Sequence, residues 1–176
     1  MILLFEYLIA QNPFFLFAAC SIKTEAGESF TDNNVSGNNG FGIETTTAYS
    51  SGAIIFSSNI IDNNEGEYRN FFDGGVRTSI LAEFSDNIIT NNTGFGVEGG
   101  RTFLNDNISD NSGCGINTGG GESFVNLTVD NNEAWGIRTV TGDVFESNHV
   151  GSNGSYGIST DAGHSFLNNT VSENNG

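Results

Sequence analysis

Basic residues are scarce. Five Lys and Arg stand against 21 Asp and Glu, a formal charge of −16. Phosphate backbones are held by clustered cations, so this balance argues against a nucleic-acid partner. Proline occurs once, and the 24 glycines follow no three-residue period, which excludes a collagen. Cys20 and Cys114 are too few for a disulfide framework. His149 and His164 have no Cys or second His at ligand spacing, so neither a metal site nor a histidine-based triad is expected. What the chain does have is 15 Phe, 25 Asn and many Ile and Val. That content excludes a disordered acidic chain and points to β structure with Asn/Gly turns.

The apolar residues repeat. Phe30, Phe56, Phe84, Phe103, Phe124, Phe145 and Phe166 are spaced by 26, 28, 19, 21, 21 and 21 residues. Five positions on comes Val35, Ile61, Ile89, Ile108, Val129, Val150 or Val171, always β-branched. Eight positions on comes Asn38, Asn64, Asn92, Asn111, Asn132, Asn153 or Asn174, without exception. At twelve and thirteen come Gly and then Ile or Val, except in the second unit, which reads Tyr68 and Arg69. The consensus is F-x-x-N-x-[IV]-x-x-N-x-G-x-G-[IV]. Some twenty residues hold two or three short strands but not a helical hairpin. Such units wrap once per repeat and stack as parallel strands about 4.8 Å apart, giving a rod of roughly 30 Å for seven coils. The Phe and Val/Ile columns then fill the interior. The Asn column becomes a structural ladder that satisfies turn amides from coil to coil.

These repeats resemble right-handed parallel β-helix repeats of the pectate-lyase-like superfamily, as in FSDNIITNNTGFGV (84–97) and FLNDNISDNSGCGI (103–116). The resemblance covers residues 30–176. It implies an all-β, right-handed parallel β-helix solenoid of about seven coils, a fold that carries lyases, hydrolases, adhesins and binding modules alike. The pairs Phe30/Asn33, Phe56/Asn59, Phe84/Asn87, Phe145/Asn148 and Phe166/Asn169 form an F-x-x-N tetrad, and Ser51-Gly52-Ala53-Ile54 approaches a G-G-A-[ILV] motif. In these the chain is similar to polymorphic outer-membrane autotransporter adhesins.

Residues 1–20 are largely apolar but broken by Glu6 and Gln11-Asn12-Pro13, too interrupted for a membrane span. They end in Phe17-Ala18-Ala19-Cys20, which resembles the lipobox of bacterial lipoprotein signals. That resemblance implies export and lipidation at Cys20. The other reading is a helical cap on the first coil. Residues 21–29 read as a linker. The last residues, Glu173-Asn174-Asn175-Gly176, stop within a coil, so the repeats of 30–176 are expected to continue in a longer protein.

Candidate chemistry gathers in the second coil. Gly66-Glu67-Tyr68-Arg69 stands where the G-x-G-[IV] turn is expected, and the longest insertion, residues 70–83, is expected to follow it. Glu65, Glu67, Arg69, Asp73 and Arg77 are the local mixture of acids and arginines on which acid–base catalysis would draw. The other reading is an irregular coil with ordinary surface ion pairs. No stretch matches the N-T-D and G-H-G pattern of polygalacturonases or the R-x-P-x-x-R pattern of pectate lyases. Acids are spread rather than stacked: in the fourteenth column, Asn70 is read between Glu44 and Glu98. No stacked calcium ladder is expected, and no cofactor; calcium held across columns or in a loop is the exception left open.

The eleventh column carries Phe41, Phe95, Trp135 and Tyr156, interrupted by Glu67 and Cys114. With Tyr68, Trp135 and Tyr156 are the candidate ligand-binding aromatics, suited to sugar rings. Against this, strand alternation puts positions eleven and thirteen on one face, which favours core packing. The function expected is an extracytoplasmic structural or recognition module. It would be adhesin-like or polysaccharide-binding, secreted or on the surface of a bacterial cell, with membrane contact only through an N-terminal lipid or a further C-terminal region. The alternative is a polysaccharide lyase or glycoside hydrolase.

Overall fold

The computed structural model describes residues 22–24, 29–45, 53–65, 74–79 and 81–176. Among these there is no helix. Strand β1 (Ile22–Thr24) lies within the stretch read as a linker. The first coil is β2 (Ser29–Thr31), β3 (Asn34–Ser36) and β4 (Ile43–Thr45). The second is β5 (Ile55–Ser57), β6 (Ile60–Asp62) and β7 (Gly74–Arg77). The third is β8 (Glu83–Ser85), β9 (Ile88–Thr90) and β10 (Phe95–Glu98). The fourth is β11 (Thr102–Leu104), β12 (Asn107–Ser109) and β13 (Ile116–Thr118). Then come β14 (Ser123–Val125), β15 (Thr128–Asp130) and the long β16 (Ile137–Glu146), which runs from the fifth coil into the sixth. After β17 (His149–Gly151), the long β18 (Ile158–Leu167) and β19 (Thr170–Ser172) complete the solenoid.

All pairings are parallel, in three stacks. One runs β1-β4-β7-β10-β13-β16-β18, another β2-β5-β8-β11-β14-β16, the third β3-β6-β9-β12-β15-β17-β19. The result is a parallel β-solenoid of about six turns, close to the seven coils expected. Register follows the sequence period. Phe30 pairs with Phe56, Phe56 with Phe84, Phe84 with Phe103, and so on to Phe166. The seven rings stack with centroids 4.6–5.3 Å apart and nearly parallel planes. Val and Ile columns from the other two stacks close the core around them. A one-residue slip would turn every one of these side chains to water, so burial fixes the register.

Small residues are part of this packing. A Cβ at Gly121 would lie 2.3 Å from Phe124 Cζ, so the ring is covered by backbone alone. Gly100, Gly142 and Gly163 repeat the arrangement over Phe103, Phe145 and Phe166. The turn glycine Gly115 faces inward, and a side chain there would meet Val129 at 2.6 Å and Asn132 Nδ2 at 2.9 Å.

Two corners bend the chain between stacks. At each, one residue per coil adopts the left-handed conformation: Asp32, Ser58, Asp86, Asn105, Asn126, Ser147 and Asn168 at one, Gly37, Asn63, Asn91, Asp110, Asn131, Ser152 and Glu173 at the other. Asn and Asp tolerate this geometry better than other side chains. The next residue's N–H then points along the solenoid axis, and a side-chain amide answers it. The Asn92 N–H and Nδ2 both donate to Asn111 Oδ1, each at 3.0 Å, and Asn92 Nδ2 also donates to the Ile61 carbonyl at 3.1 Å. The same three bonds recur along Asn64, Asn111, Asn132 and Asn153, and the run extends from Asn38 to Asn174. This is the structural ladder the sequence predicts. A second ladder climbs the other corner through Asn33, Asn59 and Asn87 to Asp106, and resumes above Leu127 at Asn148 and Asn169.

The second coil corrects the sequence reading. Val76 pairs with Ile43 and Val97, and Gly74 with Phe95. Gly75 therefore fills the turn-glycine column, Gly74 the eleventh and Arg77 the fourteenth. The extra residues enter inside the turn, before its glycines, rather than after it. The columns assigned to Gly66-Glu67-Tyr68-Arg69 are therefore filled by other residues, and residues 66–73 lie outside the described residues. Residues 1–21 are also outside them, including Cys20 and the segment read as signal or cap.

Asn111→Ala removes the acceptor of two Asn92 donors and the donor to the Ile89 carbonyl in a dry corner. The expected loss in urea denaturation is about 3 kcal/mol or more. Gly121→Ala is expected to lower the thermal midpoint as well, because the added methyl must displace the Phe124 ring.

Candidate functional site

Among the described residues, three of the four Lys and Arg lie on the outer face of the first stack. Its register aligns Lys23, Glu44, Arg77, Glu98, Asn117, Arg138 and Ser159, one per coil. Opposite charges alternate along the lower part. Lys23 Nζ lies 2.7 Å from Glu44 Oε2, Arg77 NH1 3.8 Å from Glu44 Oε1, and Arg77 Nε 3.2 Å from Glu98 Oε2. Arg77 therefore occupies the place read for Asn70, and two carboxylates engage it from neighbouring coils. Burial pushes the Glu98 carboxyl above its ordinary range, and Arg77 opposes the shift.

Arg138 differs. No ion pair with a described carboxylate holds it, and its guanidinium lies 4.9 Å from the centroid of Trp135. Arg77 sits similarly, 5.7 Å above Phe41. The aromatic column thus lies beside the cation column and is roofed by it. Gly74, not Glu67, interrupts it together with Cys114. Its members stay outside the central Phe/Ile/Val cluster, because the intervening turn glycine takes the inward direction. Phe41, Phe95 and Cys114 are nonetheless buried, Trp135 is half-buried and Tyr156 is exposed. Simple strand alternation does not describe this position, since the chain bends at the glycine. Burial also pushes the Cys114 thiol up, away from the reactive thiolate.

The second-coil candidates do not form a described cluster. Glu65 is exposed, with its backbone N–H on the Asn38 carbonyl at 2.6 Å. Arg77 is committed to Glu44 and Glu98. Glu67, Tyr68, Arg69 and Asp73 lie outside the described residues. Among the described residues, no three His, Cys, Asp or Glu side chains converge on a point that would hold a metal ion. On the second stack a further charged row sets Arg101 Nε 2.9 Å from Glu122 and His164 Nδ1 2.7 Å from Asp143. An open groove of about 510 Å³ on the last coil is lined by Tyr156, Ile158, Phe166 and Val171. Three of these belong to the core columns, so its apolar character is that of the stack itself.

Sequence reasoning missed the Arg138–Trp135 contact. The signal was present as W-x-x-R at 135–138, which the turn geometry folds together. Compared with known proteins, the chain matches no protein family, no curated protein and no solved structure.

Two substitutions test this face. Arg77→Ala is expected to change stability by less than about 1 kcal/mol, since its pairs are solvent-screened, and to raise the Glu98 pKa further in a carboxyl NMR titration. Arg138→Ala uncovers the sole tryptophan, so its emission is expected to shift to the red and its acrylamide quenching to increase.

Proposed function

We propose that the chain is a right-handed β-helix of the pectate-lyase-like kind that serves as a recognition rod, secreted or displayed on a bacterial cell surface, and takes a polysaccharide or surface glycan as partner. The observation that supports this most is the outer row in which the half-buried Trp135 lies under Arg138. Sugar rings have apolar C–H faces and polar rims. Half-exposed aromatics with a polar or cationic neighbour offer both kinds of contact without a deep cavity. The rod presents a long outer face on which coils follow one another about every 4.8 Å, a surface along which an extended ligand can lie. On this reading Cys20 is a lipid-attachment residue, and the N-terminal segment an export signal.

The test is a glycan array with purified protein, scored for binding and, separately, for released or unsaturated ends. Saturable binding without turnover is expected, weakened about tenfold by Trp135→Ala, an order set by the loss of one aromatic contact, with the thermal midpoint confirming that the variant is folded. Bond cleavage on any polysaccharide would make the chain a carbohydrate-active enzyme instead. A folded protein that binds no glycan would leave a purely structural rod.

A further inference from the structure

The second corner ladder contains one acid. In the regular rungs, Nδ2 donates both to the next Oδ1 and to a Phe carbonyl one coil back. Asn59 reaches the Phe30 carbonyl at 2.9 Å, Asn87 that of Phe56 at 3.0 Å and Asn148 that of Phe124 at 2.8 Å. At the fourth coil Asp106 takes this place and is 1% exposed. Its Oδ1 behaves as in any rung, accepting the Asn87 N–H and Nδ2, each at 2.8 Å. Its Oδ2 stands where the amide nitrogen would be, buried and without a partner if the group is a carboxylate. The register of β8 and β11 sets the Phe84 carbonyl opposite that oxygen. An ionised Oδ2 would thus face another oxygen in a dry corner.

The rung above changes with it. Leu127 replaces the Asn of the next coil, and it is buried and offers no acceptor. An amide at 106 would bring two N–H donors to a place with one acceptor. A protonated carboxyl brings one. At the side chain, acid and leucine therefore match one donor to one acceptor under an apolar seal, while the Asp106 backbone N–H loses the Oδ1 acceptor that Leu127 replaces.

We propose that Asp106 is held in its neutral form, Oδ2–H donating to the Phe84 carbonyl, and that loss of this proton to water is a built-in release of the contact between the third, fourth and fifth coils. Burial is the main cause of retention and raises the pKa to about 7. The hydrogen bonds from Asn87 and the proximity of the Leu104 backbone oppose it, and the nearby Asp86 carboxylate adds to it. Asp86 is the charged group facing this corner; Asn87 below, Leu127 above and the Phe84 and Phe103 rings inside are neutral. The sign follows from linkage. The folded state keeps a proton that the unfolded chain loses near pH 4. The folding equilibrium constant therefore falls as pH rises from about 4 to about 7, by as much as about tenfold per unit, and levels off above. This device is independent of what the outer faces bind.

The experiment is urea denaturation of the full chain from pH 4.5 to 9, for wild type, Asp106→Asn and the double variant Asp106→Asn/Leu127→Asn. Wild type is expected to lose stability with rising pH. Asp106→Asn should flatten that component, and the double variant should also gain stability by restoring an unbroken ladder. A wild-type slope that persists in Asp106→Asn would overturn the proposal. A carboxyl-carbon NMR titration of wild type decides it even if the variants fail to fold. A resonance for Asp106 that titrates near neutrality supports it, and one that titrates near pH 4 refutes it.

Discussion

The structure depends on how a sharp corner can be stacked. Parallel strands satisfy one another along their length, but a left-handed corner residue swings the following N–H out of the ladder. In a solenoid that N–H is buried under the next coil, where an unpaired donor is expensive. The Asn side chain resolves this by supplying an acceptor from the next coil and, with its own nitrogen, a donor to the coil before. One residue type thus satisfies three backbone and side-chain groups per coil at each corner. Phe stacking, strand register and the position of the outer charges follow from coils held in step by these amides.

Much of this was legible. The invariant Asn at eight positions after each Phe predicts the first ladder, and the observed bonds from Asn38 to Asn174 run as expected. The second ladder left a weaker trace, because Asp106 and Leu127 interrupt it, so its Asn residues read as a family tetrad rather than as a hydrogen-bonded column. The glycine that precedes each later Phe by three residues, as at Gly121, carried a readable period but acquires meaning only when the ring is seen lying over it. The second coil misled for a physical reason. Counting forward from Phe56 assumes a constant turn length, whereas the chain inserts residues inside the turn and resumes its period at Gly74. That single offset turned Arg77 from a loop residue into the centre of an ion-pair row.

The outer surface was harder to read than the core. Inward positions are repeated because each must match its neighbours above and below. Outward positions escape that constraint, so among the described residues the arginine–aromatic contact appears only at Arg77 over Phe41 and Arg138 over Trp135 and leaves no periodic signal. The same freedom explains where individual chemistry resides in this protein: on the first stack's outer face, where cations alternate with acids until Arg138 stands apart, and at the corner where Asp106 departs from its column.

The amide columns have one more consequence. In every rung but Leu127 that has a coil before it, the side-chain oxygen is turned toward that preceding coil, in both ladders. The small dipoles therefore add instead of cancelling, and the solenoid has an electrical direction, much as a polar crystal has. Its coils are interchangeable in place but not in sense. A repeat moved intact along the axis would find its partners waiting, whereas a repeat set in backwards would meet oxygen with oxygen at both corners.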